Sequence, residues 1–407
     1  MDKKNILKGL NIMVKMMNNF DKKKQDYQDN FIRSNPEILQ NFFGVKDVKP
    51  FWIADMDFEI AQPIKDELQR LVDRNIFAYE FDKDKIFTSI TEWYRHRHNL
   101  ELSSENFIQV NSVLTGISLL VRELSEPNDG ILIQTPVYHQ FAQIIKSSNR
   151  KIVTNPLKSS NGMYTMDYDD LKHKFVTQNI KLMILCNPQN PVGRVWNKDE
   201  LEKLIKISDQ HNVTIISDEI HSDIIYSGNK FNSIISVSKD NHIALLGSPA
   251  KTFGMQSISN GYIYIPNERI RDTISQTVSS LYLDHSNVFS TYATIAAYSY
   301  GSEWVDDLTN YLENTIFWIQ EYLSKQLPQV KMSSVEGTYQ IWFDFSELGL
   351  NKEELFGLVF KKAKLGLTPG HWFGKDSSMN MRMNIASPLS KIKDALITLK
   401  VAVNEPK

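Results

Sequence analysis

Through the middle of the chain, short apolar runs that end in turn residues alternate with amphipathic stretches. "GILIQTP" (130–136) and "KLMILCNP" (181–188) have the continuous apolar character of strands buried on both faces. In "NKDELEKLIKISDQHN", Asn197 stands at a capping position with Glu200 three residues on, and Leu201, Leu204 and Ile205 share one face, which predicts a helix. "VTIIS" (213–217), "HIALLG" (242–247) and "GYIYIP" (261–266) predict further strands. Strand, helix and strand repeated in this way predict an α/β fold with a mostly parallel sheet flanked by helices.

From about residue 296 the pattern becomes helical in "EWVDDLTNYLENTIFWIQEYLSKQL", and the strand candidates "YQIWFDF" and "MNMRMNIA" follow. A smaller α+β domain is expected there. The division is therefore an N-terminal segment, 1–55, joining that small domain, a large domain over 56–295, and the small C-terminal domain over 296–407. The aromatic residues of "NTIFWIQEYL" are expected to be core. "MDKKNILKGLNIMVKMMNNF" reads as a short amphipathic helix or an extension rather than a secretory signal, because Lys8 and Lys15 interrupt its apolar run. "DKKK" (21–24) reads as a solvated linker.

Composition narrows the partners. The 407 residues are 42% hydrophobic, enough for one large and one smaller core, and 46 basic against 48 acidic side chains leave a net charge of -2. Such a balance creates no global field for nucleic acid or an anionic membrane, so a small-molecule partner is expected. Cys186 is the single cysteine, which excludes a disulfide framework or cysteine metal cluster and suits a reducing, cytoplasmic setting. No apolar run reaches the roughly 18 residues of a membrane span. "HRH" (96–98) offers no third ligand and reads as a solvated helix face, so no metal site is expected.

In a parallel sheet, ligands gather beyond the carboxyl ends of the strands. Tyr138, Asn187 and Asn190, Asp218 and His221, and Ser248 and Lys251 follow four successive strand candidates. Singly each has a structural explanation as a turn former or cap. Together they bring a lysine, an aspartate, an asparagine, an aromatic ring and hydroxyls towards one crevice. Pyridoxal phosphate calls for such a set: a lysine to hold its aldehyde as a Schiff base, an aspartate beside its ring nitrogen, and a flat side chain over the ring. It also needs a donor to its phenolic oxygen, and hydroxyl and backbone N–H groups for its phosphate.

The ordered motifs "FWIADMDFEIAQPI", "QTPVYHQF", "CNPQNPVGRVW", "SDEIHSDIIY", "AKTFG" and "MRMNIASP" make the chain resemble the fold-type I pyridoxal phosphate enzymes of aspartate aminotransferase architecture. Among these it is most similar to the MalY/PatB branch of C-S lyases, which includes cystathionine β-lyases. The resemblance implies that Lys251 is the Schiff-base lysine and proton carrier, and that Asp218 partners the pyridine nitrogen. It implies that Asn190 bonds the phenolic oxygen, with His221 where many relatives have tyrosine, and that Tyr138 stacks on the ring. Ser248 and the N–H groups of Val113 and Leu114 would hold the phosphate, and Tyr79 would reach the phosphate of a neighbouring subunit, implying a homodimer with shared sites. Arg382 would clamp the carboxylate of a small amino acid. Ser259 stands where many aminotransferases have arginine, which leans towards a C-S β-lyase releasing thiol, pyruvate and ammonia. An aminotransferase is the alternative, and a pyridoxal phosphate-binding regulator a reading from another class. Ala78 replaces a usual glycine. "HWFG" (371–374) stays open between a substrate-facing loop and a structural one.

Overall fold

The computed structural model describes residues 20–21, 31–80, 82–238 and 242–405. Apart from Phe20 and Asp21, the expectations for the chain before residue 31 lie outside these. Two compact units divide the chain: one holds Ile60–Val305 and Glu336–Thr338, and the other gathers the described chain up to Glu59 with Asp306–Val335 and everything from Tyr339 on.

The first unit is built on seven strands: β1 (Phe107–Val110), β2 (Gly130–Ile133), β3 (Lys151–Thr154), β4 (Ile180–Cys186), β5 (Thr214–Asp218), β6 (Ile243–Gly247) and β7 (Gly261–Tyr264). Their order across the sheet is β1-β7-β6-β5-β4-β2-β3. β7 runs antiparallel to both neighbours, and the remaining pairs are parallel. Every residue of β1, β2, β6 and β7 is buried, and all of β4 except Lys181, as expected when helices cover both faces.

Four helices carry or brace the polar residues at the strand ends: α1 (Lys83–His98), α2 (Val113–Glu123), α3 (Lys198–Gln210) and α4 (Pro249–Phe253). α3 is the helix predicted after β4, and its capping box is formed as expected: the Asn197 side chain accepts from Glu200 N, and Glu200 Oε2 accepts from Asn197 N, both at 2.9 Å. α2 lies tightly on the sheet through Ile117, Leu120 and Val121. At Gly116 a Cβ would come within 2.6 Å of a Leu246 methyl and 3.2 Å of Ile263, so glycine sets how near α2 comes to β6 and β7. On α1, Ile86, Ile90, Tyr94 and His98 recur every four residues and make one buried stripe, with Trp93 beside it.

The second unit carries a four-stranded antiparallel sheet, with Lys331–Met332, Gln340–Asp344, Asn380–Asn384 and Thr368–Pro369 in that order. Both strand candidates of the C-terminal part are among them. The described N-terminal residues are tied to the rest of this unit: Lys49–Pro50 pairs with Leu365–Gly366, and Asp57 forms ion pairs with Lys391 and with Arg33. In the helix Ser302–Gln326 the aliphatic residues Ile316, Ile319 and Leu323 are core, whereas Phe317 is 67% exposed. The expectation of core packing fails for the aromatics: a step of about 100° per residue turns Phe317 off the stripe of its neighbours, and Trp318 and Tyr322 are only half-buried, stacked on each other at 5.0 Å. Among the described residues, no helix is long and apolar enough to cross a membrane.

Candidate active site

Chain order reverses beside β2, which has β3 on one side and β4 on the other. Such a switch opens a crevice at the carboxyl edge of the sheet. Register makes that edge level, since Cys186 lies opposite Asp218 and Asp218 opposite Leu246. β4 leads into Asn190, β5 ends on Asp218, β6 leads through Ser248 to Lys251, and β2 leads to Tyr138.

Lys251 rides on a single helical turn. Ser248 caps α4 by accepting from Ala250 N at 3.1 Å, Pro249 occupies the first turn, and Gly254 ends it at φ +69°, a conformation glycine adopts without strain. Pro249, Ala250, Thr252 and Phe253 are buried, while Lys251 is only half-buried. Asp218 is 5% exposed, and its Oδ1 accepts from Ile220 N at 3.1 Å. Burial pushes its carboxyl up to about 6, against the pull of the Ile220 N–H and the positive charge of Lys251. A carboxylate in this position gains from a cationic ring nitrogen placed against it.

Burial, reinforced by the charge of Asp218, raises the Cys186 thiol far above its ordinary value, and its Sγ donates to Pro188 O at 3.2 Å. It is a core thiol rather than a nucleophile. The neighbouring Glu219 accepts from Ser217 Oγ and Ile234 N, and burial, with the charge of Asp218, raises it to about 8.

β1 delivers the start of α2 to the same edge of the sheet. Ser112 caps that helix by accepting from Thr115 N at 3.1 Å, and Gly116 N donates to Ser112 O at 3.1 Å. Val113 and Leu114 thus occupy the positions whose N–H groups no intrahelical carbonyl reaches. β7 starts against this helix end: a Cβ on Gly261 would lie 2.7 Å from Val113 N. A helix N-terminus held this way suits a phosphate group. The Ser248 hydroxyl donates to Asn260 O at 2.6 Å. Asn190 and His221 are buried, and Tyr138 packs on the core beneath α2 with its ring edge-on to Phe141 at 5.9 Å. The buried carboxylate, half-buried lysine and helix start together fit pyridoxal phosphate.

The family model for aminotransferase class I and II matches residues 61–397. This chain belongs to that family. As a member of the aminotransferase class I and II family it is 34% identical over 388 residues to cystathionine beta-lyase PatB of Bacillus subtilis (strain 168), covering 95% of this chain and 100% of the relative. A solved structure of a PLP-bound putative aminotransferase from Clostridium difficile 630 superposes with a TM-score of 0.91 at 38% identity, covering 95% of this chain and 100% of that one. A PLP-bound C-S lyase from Staphylococcus hominis superposes with a TM-score of 0.88 at 28% identity, covering 95% and 98%. These findings agree with the resemblance to fold-type I pyridoxal phosphate enzymes and their MalY/PatB branch.

Tyr79 and Arg382 are the two remaining expected site residues of this aminotransferase-family chain. Tyr79 is fully exposed. Arg382 belongs to the second unit, where it is 3% exposed, donates from Nη2 to Trp52 O at 2.6 Å, and lies with its guanidinium carbon 5.0 Å from the centre of the Phe373 ring.

Sequence reasoning missed the surroundings of Lys251. Asp223, five residues beyond Asp218, is buried and bonded to Thr252, Trp93 and His98. The solvated-face expectation for "HRH" holds for His96, which is exposed beside Glu92, and fails for His98, whose side chain is 6% exposed. The four-residue recurrence of Ile86, Ile90, Tyr94 and His98 was the available signal. Among the described residues, no group of three ligand-type side chains could hold a metal ion.

Proposed function

We propose that this protein is a pyridoxal phosphate-dependent C-S β-lyase acting on S-substituted cysteines of the cystathionine type. The observation that carries the reading is the pairing of half-buried Lys251 with buried Asp218 at the carboxyl edge of the sheet. Its support among relatives is the full-length likeness to a cystathionine beta-lyase.

When bound, pyridoxal phosphate supplies an electron sink for negative charge developing at the substrate Cα. Asp218 keeps a proton on the ring nitrogen through a charge-assisted hydrogen bond. Asn190 donates to the phenolic oxygen with His221 alongside, and Tyr138 covers one ring face. The first N–H groups of α2, at Val113 and Leu114, hold the phosphate with Ser248. Arg382 takes the substrate carboxylate, a bidentate task that suits guanidinium. Lys251 removes the Cα proton, the Cβ–S bond breaks and thiolate leaves. The remaining three-carbon fragment hydrolyses to pyruvate and ammonia. The active form is a homodimer in which Tyr79 of each copy serves the other's site.

A specific observation favours a second reading, an aminotransferase: the structure at 38% identity is described as a putative aminotransferase. Both reactions begin with removal of the Cα proton by Lys251, and they part on whether Cβ loses a group. Cystathionine and S-alkyl cysteines are expected to yield equal amounts of thiol, pyruvate and ammonia over many turnovers with no keto acid present. Release of no thiol, with steady amino transfer restored by a keto acid, would replace the lyase reading with the aminotransferase.

A further inference from the structure

In the first unit, two helices converge on one buried carboxylate that the proposed chemistry does not use. Asp223 lies on the turn beyond β5 and is 6% exposed. Its Oδ1 accepts from Trp93 Nε1 at 2.9 Å and lies 2.9 Å from His98 Nε2, both on α1. Its Oδ2 accepts from Thr252 Oγ1 at 2.7 Å, on α4. Arg97 Nε stands 3.8 Å from Oδ1, and the buried hydroxyls of Tyr262 and Tyr298 feel its charge. Against the upward push of burial, the hydrogen bond and charge of His98, with Arg97 and Thr252, hold the Asp223 carboxyl below its ordinary value. It is therefore an anion at neutral pH and a strong acceptor for all three donors.

What makes this more than a clamp between helices is where the third donor sits. Thr252 follows Lys251 directly, on a helix of only five residues. One turn cannot hold its own geometry, because a helix that short has paid the ordering of its backbone for almost no internal hydrogen bonds. The direction in which Lys251 leaves the backbone is thus set from outside, by the Ser248 cap at one end and the Thr252–Asp223 bond in the middle. Asp223 is in turn fixed by the long, fully folded α1. A proton carrier needs its nitrogen placed to within a fraction of an ångström of the carbon it serves.

We propose that Asp223 is a positioning residue for Lys251: through Thr252 it locks the one-turn helix, and Trp93 and His98 lock Asp223. The inference rests on the pyridoxal phosphate reading and extends it to residues outside the crevice.

The test uses the cofactor-loaded protein and Thr252→Val, which keeps shape and removes the donor, with Thr252→Ser as the conservative restoration. Exchange of the Cα proton of L-alanine in heavy water reports the step given to Lys251 without needing a leaving group. Thr252→Val is expected to slow the maximal exchange rate about ten- to a hundredfold with KM nearly unchanged. The pH midpoint of the bound cofactor's visible absorption is expected to move by about half a unit or more, because the surroundings of the lysine nitrogen change. Thr252→Ser restores both. A Thr252→Val protein that melts earlier yet keeps the wild-type midpoint and exchange rate, or a Thr252→Ser protein that restores neither, overturns the proposal and leaves the bond a structural one. A wild-type protein with no visible band overturns the cofactor reading and this inference together, whereas a wild-type band that Thr252→Val leaves unmoved overturns this inference alone.

Discussion

Asp218 is held at a disadvantage until something cationic meets it. Buried to 95%, it takes its carboxyl up to about 6 from an unfolded value near 3.8. The sign follows from linkage: well below pH 3.8 the group is neutral in both states and contributes nothing, and as pH rises through 3.8 towards 6 the unfolded chain ionises first, so the folded state loses stability. Above pH 6 the loss is complete. In cofactor-free protein at pH 8, Asp218→Asn is therefore expected to be more stable than wild type by about 1–3 kcal/mol, a two-unit shift taken as an upper bound. At pH 4, where the unfolded carboxyl is little more than half ionised, most of that advantage should be gone. Urea unfolding of the two proteins at both pH values measures it, and an equal difference at both would show that the carboxyl does not titrate as described. The penalty belongs at this position, since a carboxylate lacking strong partners is the one able to hold a ring nitrogen protonated. Asp223, the same residue type five positions later, has donors on both oxygens and is held low instead. Nothing in "SDEIHSD" distinguishes the two, because the difference lies in what α1 and α4 bring to them.

At the scale of elements, β2, β4, β5, β6 and β7, α3 and the carboxyl-edge cluster were legible because apolar runs, a capping box and turn residues are local signals, whereas β1 and the mostly exposed β3 were not predicted. Asp218, Asn190, Ser248 and Lys251 could be placed together from strand ends alone. What the local pattern does not carry is contact between elements distant in sequence. The antiparallel sense of β7 depends on its pairing with β1, some 150 residues earlier, and the Asp223 cluster depends on α1, about as far away. The glycines behave likewise. In "SNGYIYIP" the Asn-Gly pair signals only a turn, yet any side chain on Gly261 meets the backbone of Ser112 and Val113 at 2.7 Å. Gly261→Ala is thus expected to push the start of α2 away, lowering stability by about 1–3 kcal/mol, the usual range for overpacking. It should also abolish most of the rise in melting temperature that pyridoxal phosphate gives the wild type. Gly357→Ala is the contrast, because a Cβ there meets nothing within 4 Å and the backbone is already helical at φ -57°. It should be neutral or stabilising by about 0.5–1 kcal/mol, with the cofactor effect intact. If both variants respond alike to the cofactor, the α2 terminus is not its phosphate site.

At the scale of the whole molecule, the residue that fits least within one chain is Tyr79. A tyrosine at full exposure is a poor use of an aromatic ring in water, and its neighbours along the chain repeat the anomaly: Ile76 is 70% exposed and Phe77 55%. Phe77 does stack on Phe289 at 5.6 Å, and Arg74 pairs with Glu80 at 2.5 Å, so the segment is structured while its apolar groups face outward. Apolar exposure of this density is what a second copy of the chain would cover. A homodimer with shared sites makes a prediction that a self-sufficient protomer does not. In such a dimer, Lys251→Ala would remove the proton carrier from its own site and Tyr79→Ala a group donated to the other copy's site, so each variant dimer would be defective at both sites. Mixing the two under mild denaturant and refolding them yields hybrid dimers. In a hybrid, the site that contains Lys251 belongs to the Tyr79→Ala chain and receives Tyr79 from the Lys251→Ala chain, so that one site is whole. At equal concentrations random pairing makes half of all dimers hybrid, and each hybrid has one working site of two. Recovered thiol release should therefore approach about a quarter of the wild-type rate, since only contacts across a closed two-fold interface can complement in this way. Mass measurement under native conditions should find the dimer in all three preparations. Activity of the mixture no greater than that of Tyr79→Ala alone, with hybrids demonstrably formed, would place Tyr79 outside the catalytic machinery and leave the exposed surface without a role in it.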